Sequence, residues 1–147
     1  MKKLFLQFFT KQHSKFNVQI VISDSISRNV NSTKFLGLTT DSTLSWKGHI
    51  LDLSTKLNKA GYAIRAIKSL MSLKALKTIY FSYFHAIMSY GVIFWGNSCI
   101  SNDIIKIQKR IIRILTNKSK CDSCRPLFKQ LQILTLPSQY IRGEFKK

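Results

Sequence analysis

The chain has 147 residues, of which 45% are hydrophobic, including ten Phe and two Trp. That is apolar bulk enough for a real core in one domain, or in one small domain plus part of another, and it excludes disorder over most of the length. Twenty-four Lys and Arg against six acids give a net charge of +18, a field that disfavours cationic partners and favours a polyanion through phosphate neutralisation and counterion release.

The charge is uneven. Residues 1–44 carry six cations and two acids, and residues 45–147 carry eighteen and four. The three cysteines, Cys99, Cys121 and Cys124, are an odd number, which fits a disulfide scaffold poorly. Cys121-x-x-Cys124 is half a zinc site with no second pair at a suitable spacing, so these read as ordinary thiols in a loop. The opening MKKLFLQFF mimics a signal peptide, but Gln7 interrupts it and no small-residue cleavage site follows; it reads as a strand. Residues 75–95 are apolar, yet they contain Lys77 and His85 and make a poor membrane span. The expectation is an intracellular protein with reduced thiols, without a membrane or a small-molecule substrate as partner.

In chain order, residues 4–10 are a strand candidate and residues 11–15 a polar turn. Residues 18–22 are β-branched and apolar, a second strand. Residues 23–25 read as a tight turn, 26–30 as a short strand, and 33–40 as the last strand. Together they predict a small antiparallel β-meander of about 40 residues over 1–44. The junction at 34–50 follows. Phe35-Leu36-Gly37 is an apolar run closed by a glycine, Asp41-Ser42 supplies turn chemistry, and Ser45 is an N-cap candidate that puts Trp46 at the first helical position.

From Trp46 the apolar positions Trp46, Ile50, Leu53, Leu57, Ala60, Ile64, Ile67 and Met71 are spaced four and three alternately, a heptad seam on one helix. The flanking Lys47, His49, Lys56 and Lys68 bring no acid, so a free dimer would repel at its rim, and the seam is expected to pack within the same chain. Ser72 is the predicted cap of a second helix, apolar nearly all round and therefore buried, ending at Trp95-Gly96-Asn97. His85 and the tyrosines on it read as satisfied core polar groups. A third helix is capped by Ser101 or Asn102, with Asp103 complementing its dipole. Ile104, Ile105, Ile107, Ile111, Ile112, Ile114 and Leu115 fill one half of its wheel. Lys106, Lys109, Arg110 and Arg113 fall within a stripe of about 100° on the other half, four cations with no acid, the pattern of a phosphate-tracking face. Residues 117–123 read as a polar loop, 125–131 as a short basic helix, and Pro137 as the first residue of a last helix over 138–145. Residues 45–147 are thus a helical region, and the predicted fold class is α+β.

Chemistry is thin. The acids Asp24, Asp41, Asp52, Asp103, Asp122 and Glu144 are scattered, with no adjacent pair, no HExxH, no phosphate-cradling glycine loop and no GxSxG. A two-metal phosphoryl-transfer site needs several carboxylates converging on ions roughly 4 Å apart. The residues alone describe a basic binding or scaffolding chain.

The order of segments resembles the C-terminal part of a reverse transcriptase from a non-LTR (LINE-type, jockey-like) retrotransposon. The resemblance is carried by Lys34-Phe35-Leu36-Gly37-Leu38, Asp41, Leu44-Ser45-Trp46 and His49-Ile50, matching the family's KFLG…D..LSW..HI run. It continues through Lys56-Leu57-Asn58-Lys59, residues 76–80, Ser89-Tyr90-Gly91 and Trp95-Gly96. Ile107-Gln108-Lys109-Arg110 and Ile112-Arg113-Ile114-Leu115 come next, then Ser123-Cys124-Arg125-Pro126-Leu127-Phe128, Leu131, Ile133-Leu134, Leu136-Pro137-Ser138 and Tyr140-Ile141. In that order the motifs cover about residues 1–141.

The resemblance implies a right-handed polymerase in which Phe35-Leu36-Gly37 lies in the palm's last hairpin, the primer grip, and the helices after Trp46 form the thumb that clamps the template–primer duplex by its backbone. It makes Lys34, Phe35, Leu36 and Gly37 the candidates nearest a primer end, and RNA, DNA or their hybrid the partner, together with the upstream polymerase domains. The family's catalytic aspartates, including an aromatic-x-Asp-Asp hairpin, precede the region that begins here. A divalent metal, Mg in the full family enzyme, is therefore not expected to be held by this chain, and the fragment alone is expected to be inactive. Gly48 and Gly143 depart from the family's pattern, and Gly143 argues against a long last helix. The rival expectation is a self-association or docking module built on the heptad seam, with incidental charge.

Overall fold

The computed structural model of the chain describes residues 5–8, 18–21, 28–29, 32–41 and 43–145. The fold is α+β: short antiparallel strands come first and helices follow. Strands β1 (Phe5–Phe8), β2 (Val18–Val21) and β3 (Arg28–Asn29) pair in sequence order. Phe5 is opposite Val21, and Gln19 is opposite Asn29. The predicted turn at residues 23–25 lies outside the described residues. The single strand expected over 33–40 is instead a hairpin, β4 (Ser32–Phe35) and β5 (Leu38–Asp41), in a sheet separate from the first three strands. The residue pattern did not show the reversal, because its two-residue loop is Leu36-Gly37 rather than Asn-Gly; only the family resemblance implied a hairpin at Phe35-Leu36-Gly37. Leu36 takes φ 47° and Gly37 φ 78°, and a type I′ turn needs positive φ at both positions.

The strand-to-helix junction is locked by Asp41. Its carboxylate accepts the Ser45 amide at 2.7 Å and also the Ser45 hydroxyl, while its carbonyl accepts the Leu44 amide at 3.0 Å. Leu44 and Trp46 are left-handed, at φ 50° and 60°. Contrary to the expectation, Trp46 is therefore not the first helical residue; helix α1 runs Lys47–Ile67. The boundary between the two compact units of the chain falls between His49 and Ile50, inside this helix.

The second unit is helical. Ile50, Leu53, Leu57, Ala60 and Ile64 of the seam are buried, which accounts for the four-three spacing on α1. The seam ends early: a 3-10 turn at Lys68–Leu70 replaces the helix, and Met71 is exposed. Gly61, also buried, lets α5 (Ser101–Leu115) approach: a Cβ there would stand 2.5 Å from Ile111 Cδ1.

Ser72 caps α2 (Leu73–Ile79), its hydroxyl accepting the Ala75 amide at 3.3 Å. The helix continues as a π-helical segment, Tyr80–His85, and then α3 (Ala86–Ser89). Tyr90 is extended and Gly91 left-handed at φ 64°, which breaks the chain before α4 (Val92–Trp95). This region is not buried all round, as its composition suggested. Leu76, Tyr80, Phe84, Met88 and Val92 are buried, while Leu73, Tyr83, Tyr90 and Phe94 are exposed. The buried positions recur every fourth residue, a period that drifts around an α-helix of 3.6 residues per turn. The wider turns of the π segment rotate the stripe back.

Helix α5 enters without a side-chain cap. Ile100 precedes it in helical conformation, and Ser101 and Asn102, the expected caps, lie inside it. Turn bonds lead in instead, from the Ser101 amide to Ser98 O and from the Asp103 amide to Ile100 O, each 3.1 Å. Helix α6 (Cys124–Leu131) follows the loop, with Cys124 as its buried first residue rather than a loop thiol. Helix α7 (Leu136–Glu144) is capped by Thr135 and runs through Gly143. Pro137 is its second residue, not its first. A Cβ at Gly143 would stand 2.7 Å from Ile93 Cγ2, so that glycine allows close packing. Among the described residues no helix is long and apolar enough to cross a membrane.

Candidate nucleic-acid interface

Two surfaces carry the candidate residues, one in each compact unit. The first is the hairpin tip. Lys34 pairs with Thr39 and Phe35 with Leu38 across the turn, and Phe35, Leu36 and Gly37 are all exposed, Leu36 at 70%. A leucine in the left-handed region is uncommon and carries strain. Together these put an apolar knuckle in solvent beside a lysine. The base of the hairpin is fixed by Asp41. Burial pushes its carboxyl up, but the hydrogen bonds from Ser45 and Thr43 outweigh burial and hold it below the usual carboxylate value.

The second surface is the outer face of α5. Ile104, Ile107, Ile111, Ile112 and Leu115 are buried, with Ile105 and Ile114 half-buried, as the wheel required. Lys106, Lys109 and Arg110 are exposed, and Arg113 is half-buried. The stripe is less uniform than its sequence suggested. Asp103 reaches its first cation, with Lys106 Nζ 2.9 Å from the carboxylate. That exposed i,i+3 pair is worth little. Arg110 Nη2 donates to Asn58 Oδ1 of α1 at 3.1 Å. Arg113 Nε donates to the Asp122 carbonyl at 3.0 Å, tying the 117–123 loop to the helix. Lys109 makes no ion pair or side-chain hydrogen bond among the described residues; its carbonyl faces the Cys124 thiol at 3.6 Å.

The wheel missed Gln108, a fully buried amide on the isoleucine side. Its Nε2 donates to Tyr80 Oη at 3.1 Å and to the Leu134 carbonyl at 3.0 Å, while its Oε1 accepts the Leu136 amide at 3.0 Å. It thereby ties α5 to the π segment and to the start of α7, fixing the helix whose other side carries the cations. Tyr80, buried with it, has its phenol pushed up to about 12 by desolvation, against the opposing bond from Gln108.

Sequence reasoning also missed a cleft of about 290 Å³ between α1 and α5, lined by Asn58, Tyr62, Arg65 and Arg110, with Gly61 and Ile111 among its walls. The signal was present as Asn58, Tyr62 and Arg65 at i, i+4 and i+7, a second face of α1 beside the seam. His85, by contrast, is half-buried against Phe81 and Tyr80, and burial lowers its pKa.

Among the described residues no group of three or more His, Cys, Asp and Glu side chains converges to hold a metal. The chain matches no protein-family model, and neither the curated proteins nor the solved structures give a match.

Proposed function

We propose that this chain binds template–primer nucleic acid through its backbone, as the primer-grip and thumb portion of an RNA-directed DNA polymerase of a non-LTR mobile element. The observation that carries the reading is the α5 stripe opposite the buried isoleucine half, where Lys106, Lys109 and Arg110 are exposed and Arg113 is half-buried. Such a face suits phosphates, because backbone contacts require cations at regular spacing and no base-reading side chains. The exposed Leu36-Gly37 knuckle supports the primer-grip half of the reading. On this reading catalysis and its metal lie with the aspartate-bearing palm of the family enzyme.

Filter binding of an RNA–DNA hybrid across a salt series tests this. Binding at low salt is expected, with log affinity falling linearly with log salt. Replacing Lys109 by Gln should weaken binding to all sequences alike and reduce the slope by about one, the share of a single neutralised phosphate. No hybrid binding at low salt overturns the proposal.

A second reading, self-association, rests on a different surface from the seam, which is filled by the chain's own packing. Ile93 and Phe94 of α4 and Ile141 of α7 are exposed on helices that pack together. Light scattering separates the two: a monomer at micromolar concentration removes this reading and leaves the first intact.

A further inference from the structure

The cleft between α1 and α5 has a composition that phosphate tracking alone does not require. Arg65 and Arg110 line it from the two helices, and no acid is among its lining residues. Asn58 holds the Arg110 guanidinium from one side through Nη2, which pre-orients the fork and leaves its other N–H groups available to an oxyanion. Tyr62 stands at the same cleft with 77% of its surface exposed, against 55% for Tyr90 and 45% for Tyr83. An exposed aromatic is ordinary when single. This one lies within one helical turn of Arg65 and shares a cleft with a second guanidinium. Gly61, beneath Tyr62, lets Ile111 approach the α1 backbone. The walls are thus held by packing and do not need a ligand to form.

A flat ring beside two guanidiniums in a groove without acids is the arrangement that binds one unpaired nucleotide: the ring takes the base face, and the arginines take its phosphate. A duplex phosphate would use the cations and leave the ring idle. We infer that the Asn58–Tyr62–Arg65–Arg110 cleft is a subsite for a single-stranded nucleotide, with Tyr62 as its stacking platform. The inference rests on the nucleic-acid reading above and narrows it, assigning this cleft, and with it Arg110, to the unpaired strand and leaving Lys106, Lys109 and Arg113 to the duplex.

The test uses the full chain and fluorescence anisotropy with three labelled probes of equal length: an oligothymidylate, the corresponding abasic sugar–phosphate strand, and an RNA–DNA hybrid. The unaltered chain should bind the base-bearing strand more tightly than the abasic one. Tyr62→Ala should weaken oligothymidylate binding roughly ten-fold, within the range found for removal of a base–aromatic stack. It should leave the salt slope and hybrid binding unchanged, and Tyr62→Phe should restore the affinity. Arg65→Gln should instead reduce the single-strand salt slope by about 0.7, the value of one phosphate. Tyr62 is exposed, so its variants should keep the far-UV circular dichroism of the unaltered chain. Equal binding of base-bearing and abasic strands, or Tyr62→Ala without effect while the hybrid still binds, overturns the subsite alone. Failure of all three probes to bind overturns the nucleic-acid reading with it.

Discussion

Gln108 sits without exposed surface on a helix face otherwise made of isoleucine, so its amide has to be matched atom by atom. It is matched by Tyr80, Leu134 and Leu136, and an amide buried without such partners would cost several kcal/mol. The Tyr80 end of this network has a pH signature. The phenol is raised from 10.0 to about 12 in the folded state. A raised folded value means that its contribution is intact below pH 10 and is lost as pH climbs from 10 towards 12. Two units correspond to about 3 kcal/mol, an upper figure. Denaturant melts across that window should show Tyr80→Phe losing less stability than the unaltered chain. At neutral pH the same variant should be only about 1 kcal/mol weaker, since Gln108 Nε2 keeps its bond to Leu134. An identical alkaline loss in both chains would remove Tyr80 from the account.

At the scale of elements, the approach of α1 and α5 depends on Gly61. Helix propensity favours Ala over Gly there by about 1 kcal/mol, but the added Cβ would meet Ile111 Cδ1 at 2.5 Å. The two effects oppose, so Gly61→Ala alone should leave the melting temperature nearly unchanged. Ile111→Val removes the offending methyl and should cost about 1 kcal/mol by itself. The pair should then be non-additive: Gly61→Ala in the Ile111→Val background should recover most of the propensity gain, as a double-mutant cycle by thermal melting would show. Strict additivity would mean that the glycine is not there for the approach. The same packing forms the wall of the Tyr62 cleft, so the cycle also reports on a site-forming contact.

Across the whole molecule the charge is poorly compensated. Among the described residues the exposed pair between Lys106 and Asp103 is the only salt bridge, against a net charge of +18. Self-repulsion of that size destabilises a compact state, and salt screens it over about 10 Å at 0.1 M. Added salt should therefore raise the melting temperature while it weakens nucleic-acid binding. The two trends, measured by thermal melting and by filter binding in the same buffers, should have opposite sign. A melting temperature that falls with salt would mean that attractive pairs, rather than repulsion, dominate the surface.

The sequence by itself determined the α+β class, the seam on α1, the isoleucine half of α5, the capping role of Ser72 and the presence of a last helix near Pro137, though not its cap. All of these follow from local periodicity and local hydrogen bonding, which a linear reading sees directly. It placed Lys106, Lys109, Arg110 and Arg113 on one stripe for the same reason. It could not divide those cations by partner, because Asn58 lies 52 residues from Arg110 along the chain, and proximity of that kind is created only by packing. The hairpin at Leu36-Gly37 was hidden from the residue pattern, and expected only from the family resemblance, because leucine is an unusual residue for a left-handed turn position. The exposed side of the Leu73–Trp95 region was hidden because composition cannot distinguish a buried helix from one that buries a single stripe. The π segment and the break at Gly91 decide that, and with it which aromatic rings meet solvent. The Gln108 network belongs wholly to the tertiary structure, and the Tyr62 cleft does in part: the face of Asn58, Tyr62 and Arg65 on α1 was legible, but only packing brings Arg110 to it.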